Sequence, residues 1–203
     1  MRQWPKKKLS VCLVLAVCLL AGCVVHSVNP FYTRDLIAEM PGLYGQWMLT
    51  KSTFREGTEK PWTFSNGAIM IPGDKGTVTT IVARFFRIND VLFLDTTADE
   101  PQEDMSLWWT LHISPMHTVS KVLVDEKTLR IIPLNASWME QAVRDKTVVL
   151  PAVWHEEGKA HLFTASSAEW VEFLKKYGSD PQAFPEADAF VFERHKAGIQ
   201  QLR

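Results

Sequence analysis

From Gly42 onward the chain is written in short apolar, β-branched segments set between Gly, Pro, Asn and Asp signals. That rhythm limits its fold more than any other feature, because it is the signature of antiparallel strands. Strands are predicted at 44–54, 61–71, 76–88, 91–97, 106–113, 117–125, 128–134, 147–155, 160–164 and 189–194. In one of them Leu107, Trp109, Leu111 and Ile113 alternate with Trp108, Thr110 and His112, giving an apolar face and a mixed face. Arg87-Ile88-Asn89-Asp90-Val91 predicts a tight hairpin, since Asn and Asp tolerate the positive φ of a two-residue turn. Asp125-Glu126-Lys127-Thr128 predicts a second. Consecutive hairpins leave exposed edges, and closing the sheet removes them. The expected architecture is therefore mainly β: an antiparallel β-barrel or strongly curved sheet, with one or two short α-helices across an open end or side.

Two segments break the strand rhythm. Ser137-Trp138-Met139-Glu140 and Ser166-Ser167-Ala168-Glu169 both have the spacing of a capping box, in which Ser and Glu satisfy free backbone amides reciprocally. The second opens a helix over 166–177. Trp170, Phe173, Leu174 and Tyr177 form its apolar stripe, Lys175 and Lys176 sit in its last turn, and Gly178 is its stop. The first predicts a helix over 137–144.

The N-terminus has a different grammar. Met1 to Lys8 holds Arg2, Lys6, Lys7 and Lys8 and no acid, and the twelve residues Leu9 to Leu20 contain only Ser10 as a polar group. A spanning helix needs about 20 apolar residues. Twelve after a basic start is instead the pattern of a secretory signal. All three cysteines, Cys12, Cys18 and Cys23, fall within this region. Leu20-Ala21-Gly22-Cys23 resembles the lipobox of bacterial lipoproteins. The resemblance implies cleavage before Cys23, with residues 1–22 removed, and a covalent lipid on the Cys23 thiol. Cys12 and Cys18 leave with the signal, so the mature chain has no free thiol and no disulfide. Val24 stands where an aspartate retains such proteins at the inner membrane, which points to the outer membrane, facing the periplasm, in a Gram-negative host. In a single-membrane host the same signal gives a cell-surface protein. The stretches NPFYT, LYGQW, FRINDVLFLD and HTVSKVLVDEKTLRIIPL resemble a group of bacterial lipoproteins without an assigned activity.

The expected organisation is a lipidated Cys23 with a leader over 23–41, then one β-rich domain over 42–203. The leader is not Gly/Ser-rich, and Phe31, Tyr32, Leu36 and Ile37 are expected to dock it, with one helical turn at Arg34 to Glu39. Lys and Arg number 22 and Asp and Glu 23, and four of the bases lie in the first eight residues. The remainder is mildly acidic, without the basic stripe of a nucleic-acid binder or a polybasic patch for anionic lipid.

Gly45-Gln46-Trp47 opens the first strand. This G-x-W resembles the first motif of lipocalins, up-and-down barrels that hold apolar molecules in their mouths. The resemblance implies that Trp47 plugs the closed end and that Gly45 lets the chain turn in. The late helix at 166–177 also fits it. The family's second motif is absent, no arginine is placed in the sequence to stack on Trp47, and the helix at 137–144 lies where an eight-strand meander has none.

The remaining chemistry is sparse. His155 and His161 flank a Glu-Glu-Gly turn and are candidate metal ligands, with no third ligand in local sequence. His112 and His117, with Ser114 or Ser120, suggest a base and a nucleophile without any known motif. Asp95 to Asp104 is an acidic loop lacking the spacing of a calcium loop. The expectation is a lipid-anchored envelope protein, with no cofactor other than the lipid on Cys23, that binds an apolar or lipid-like small molecule. The alternative is an envelope interaction module for a protein partner. An enzyme is the least supported reading. Cys23→Ser is expected to abolish incorporation of labelled palmitate and to leave residues 1–22 attached, both read by intact-mass analysis.

Overall fold

The computed structural model describes residues 24–52, 60–73, 76–99, 115–154 and 160–195, with side chains from 162 onward in the last stretch. Eight strands close an antiparallel barrel in the order β1-β10-β7-β6-β5-β4-β3-β2. They are β1 (Gly45–Lys51), β2 (Trp62–Ser65), β3 (Ala68–Pro72), β4 (Val78–Ile88), β5 (Val91–Ala98), β6 (His117–Val124), β7 (Thr128–Pro133) and β10 (Phe190–Arg194). Every neighbour except β7 and β10 is a neighbour in sequence or the closing pair. The barrel is thus a meander with one insertion. That insertion holds α1 (Ala136–Arg144), the hairpin β8 (Ala152–Trp154) and β9 (Ala160–Phe163), and α2 (Ser167–Tyr177). It lies outside the wall, so a helix at this place does not interrupt the meander. No helix among the described residues is long and apolar enough to cross a membrane.

The turns explain the register. Asn89 and Asp90 take φ of 47° and 64°, and Ile88 pairs Val91 across them. This is the two-residue hairpin the sequence predicts. The Asp125 carboxylate accepts the N–H groups of Lys127 and Thr128 at 2.8 and 2.7 Å. Its hydrogen bonds, that from the Thr128 hydroxyl first, hold its pKa down to about 2. Residues 61–71, expected as one strand, are instead the hairpin β2–β3. Ser65 pairs Ala68, and Gly67 supplies the turn with φ 85°. Asn66-Gly67 is a strong hairpin signal in its own right, and the apolar residues on both sides masked it.

Two other boundaries differ. The cap of α1 is Asn135, whose side chain accepts the Trp138 N–H, so the helix starts before Ser137. The strand expected at 147–155 is reduced to β8, because Thr147 and Val148 fold back to hydrogen-bond the Ala142 carbonyl. The strand expected at 106–113, with Trp108, Trp109 and His112, lies outside the described residues. The capping box of α2 forms as predicted, with Ser166 as cap and Glu169 reaching back.

The sheet has apolar residues on both faces where it is covered on both. Phe85 and Leu94 pair on the inner face of the barrel, and Phe86 and Phe93 pair on the outer face. The outer cluster joins Phe86, Phe93, Val119 and Ile132 to Met139 and Val143 of α1 and to Trp170 and Phe173 of α2. The leader completes it. Phe31 is fully buried, 4.3 Å from Trp170 between ring centroids, and Tyr32 stacks at 5.4 Å on Phe86. The leader docks through Phe31, Tyr32 and Leu36 as expected, whereas Ile37 is 44% exposed, and its turn is confined to a 3-10 helix at Arg34–Leu36. Phe31→Ala is expected to lower stability by about 3–5 kcal/mol, read as a fall in the denaturant midpoint at unchanged slope.

Candidate functional site

The barrel has two unlike ends. At one, β1 begins, β10 ends and the β2–β3, β4–β5 and β6–β7 turns lie. Gly45 has φ 123°, a region open to glycine. It lets the chain turn from the 3-10 helix Pro41–Leu43 into β1. Trp47 is fully buried there, and its indole N–H donates to the Leu43 carbonyl at 2.8 Å. The Arg194 guanidinium lies over its ring, 4.3 Å from the centroid, and donates to the Gly42 carbonyl. The sequence reading placed no arginine on Trp47. Arg194 is that arginine, brought from the far end of the chain by the β1–β10 pairing, in which Trp47 is opposite Arg194.

Exposure along the inner face is graded. Leu49, Phe64, Ile69, Leu129 and Phe192 are at most 2% exposed, so the Trp47 half is filled. Toward the other end, Trp62, Ile71, Ile81, Thr96, Thr118 and Phe190 share the inner face by register but are only half-buried. The inner face at this end is lined by aromatic and branched apolar groups. Its polar content is small and specific. The hydroxyls of Thr96 and Thr118 are 2.7 Å apart. Among the described residues the Trp62 indole N–H is buried without a hydrogen-bond partner, with its ring edge-on to Phe192 at 5.1 Å. The connections 53–59 and 100–114, which join strands at this end, lie outside the described residues.

A second constellation lies on the outer wall. Asp95 was read as the start of an acidic loop; it is instead a residue of β5, and 2% exposed. Its carboxylate meets His117 Nδ1 at 2.7 Å and accepts the Phe31 N–H at 3.0 Å. Ser27 and His117 exchange backbone hydrogen bonds of 3.0 and 2.8 Å. The Ser27 hydroxyl accepts the Trp170 indole N–H at 2.8 Å and the Asn29 N–H at 3.1 Å. Burial raises the Tyr32 pKa, helped by the Asp95 charge and opposed by Arg84 and Arg34. This node ties the leader to the barrel and to α2. It is a poor hydrolytic site. Ser120 is on the inner face and His117 on the outer, one residue parity apart along β6, and Ser27 is already engaged by two donors. Ser114 and His112 lie outside the described residues.

The other sequence candidates are placed as follows. Leu20, Ala21, Gly22 and Cys23 lie outside the described residues, as do His155 and the side chain of His161, which is on β9. Among the described residues no three His, Cys, Asp or Glu side chains gather as metal ligands. The Asp95–His117 pair was not read from the sequence. Its signal was available: an acid within the alternating run of β5, facing a histidine at the start of β6. No protein-family model, curated protein or solved structure matches this chain. Asp95→Ala strands the His117 and Phe31 donors in a buried place and is expected to cost about 3–5 kcal/mol. The same variant should release the leader to limited proteolysis before global unfolding.

Proposed function

We propose that this protein is a lipid-anchored component of a bacterial envelope whose barrel holds one apolar or lipid-like molecule in its mouth. The anchor is the lipid on Cys23, and the mature chain begins there. The observation that carries the binding reading is the exposure gradient of the inner face. A barrel that served only as a packed scaffold would be filled throughout, as its Trp47 half is. The opposite half leaves its large apolar side chains only half-buried, an apolar surface that a bound molecule would cover. The unpartnered Trp62 N–H adds a preference for a molecule with a hydrogen-bond acceptor, such as an ester, carboxylate or ether oxygen.

The ligand enters at the end away from Trp47 and Arg194, and its apolar part lies against Ile71, Ile81 and Phe190. Nothing in this reading requires a chemical step. The test is extraction and mass analysis of small molecules carried by the protein purified from bacterial envelopes, together with native mass spectrometry. A stoichiometric lipid-like mass that is lost on denaturation is expected. Ile81→Trp, which fills the mouth, should abolish it, and Trp62→Phe should weaken it roughly five- to tenfold, the equivalent of one hydrogen bond. A clean unliganded mass from both envelope and reconstituted lipid would overturn the binding reading and leave the interaction module.

A further inference from the structure

The leader, β9 and β8 form one short ribbon. Ser27 bridges Phe163 in parallel. The Phe163 N–H donates to the His26 carbonyl at 2.9 Å and the Val28 N–H to the Phe163 carbonyl at 3.0 Å. On the other side β9 pairs β8, with Trp154 opposite Ala160. Following that register toward lower leader numbers brings Val24 and Trp154 to the same end of the ribbon, two strand spacings or about 10 Å apart.

That end is apolar and exposed: Val24 is 42%, Val153 52% and Trp154 48% accessible. The β8–β9 register shifts between Val153 and Trp154, and both side chains are exposed there. Farther along the ribbon Val25, Ser27 and Phe163 are buried. The chain therefore has no slack. Val25 is packed two residues after Cys23, and consecutive Cα atoms are only about 3.8 Å apart. A lipid on Cys23 brings the bilayer against whatever surrounds Val24.

We propose that the Val153–Trp154 end of hairpin β8–β9 is a membrane-contact surface, seated on the bilayer that receives the Cys23 lipid. This rests on the lipid-anchor reading given above. Tryptophan suits the headgroup level, having an apolar body and a polar N–H. The sequence that follows, His155-Glu156-Glu157-Gly158-Lys159, carries three charges, which excludes deep insertion. The contact sets orientation rather than affinity, which the lipid supplies. Ser27 binds the ribbon to His117, the first residue of β6 at the mouth end. It is three residues, at most about 11 Å, from Val24. The β6 side of the mouth therefore stands beside the membrane, where a lipid-like ligand is available.

The test uses the full chain, expressed with its signal and reconstituted in phosphatidylethanolamine–phosphatidylglycerol vesicles. Trp154→Cys, Val153→Cys and Met70→Cys each carry an environment-sensitive fluorophore, Met70 being exposed on β3 across the barrel. The probes at 153 and 154 should shift to the blue on vesicles and be quenched by spin-labelled lipids, and the probe at 70 should do neither. Equal responses at all three sites, or none at 153 and 154 while the protein floats with vesicles, would overturn the contact and leave the anchor standing. The unsubstituted chain separates the other failure. If it takes up the fluorophore at Cys23 and does not float, the lipid reading fails, and the contact loses its bilayer with it.

Discussion

Closure of the sheet by β1 and β10 is the constraint on which the rest of the molecule depends. These strands come from opposite ends of the domain, and only their pairing turns a meander into a barrel. The seam is reinforced at both levels. Inside, Leu49 pairs Phe192, and both are almost fully buried. At the end, Trp47 pairs Arg194, whose guanidinium covers the indole and holds the Gly42 carbonyl. A cation over an indole face contributes about 0.5–2 kcal/mol. Its larger effect is to exclude water from a ring that would otherwise be the weak point of the closed end. β10 follows the inserted helices and hairpin, so the strand that closes the barrel is joined to β7 through them.

The leader gives the insertion that place. It is short of regular structure, yet it makes the contacts that join three elements. Ser27 pairs β6 on one side and β9 on the other, its hydroxyl receives Trp170 of α2, and Phe31 fills the gap between α2 and the barrel. The Asp95 carboxylate is buried at the same spot, and its two donors, His117 and the Phe31 amide, explain why a charge is tolerated there. A buried polar node of this kind specifies one docking position, since any slip of the leader leaves several groups unpaired. The consequence is that Val25, Ser27 and Phe31 are held against the barrel wall and α2 in one position.

The barrel, its helices and most of its turns were legible in the sequence because each had a local cause. Alternation marked the strands, Asn89-Asp90 the β4–β5 turn, and Ser166 with Glu169 the start of α2. What escaped had causes distant in sequence or covered by a stronger local signal. The Asn66-Gly67 turn was hidden because Phe64, Ile69 and Ile71 made a continuous apolar run. Asn135 lost to Ser137 as the helix cap because both types cap well, and only the chain path from β7 chooses between them. Arg194 could not be matched to Trp47 without knowing which strand closes the barrel. Of the candidate site, the aromatic inner wall was foreseeable in composition, but the difference between a fully buried half and a half-buried one was not. That difference depends on which side of each strand faces in, and register fixes it.

The two apolar clusters divide the work of the fold. The outer one, between wall, helices and leader, contains most of the large buried rings, among them Phe31, Phe86, Phe93, Trp170 and Phe184. The inner one surrounds Trp47 and extends through Phe85, Leu94, Val122 and Ile131. The interior of a small barrel is either filled by side chains or holds one small ligand. The second core outside the wall adds buried apolar contacts that do not depend on that interior. Trp62, Ile71, Ile81 and Phe190 are only half-buried by comparison. The insertion is therefore more than an ornament on a meander: with the leader it covers the outer face of the wall and builds a second core there.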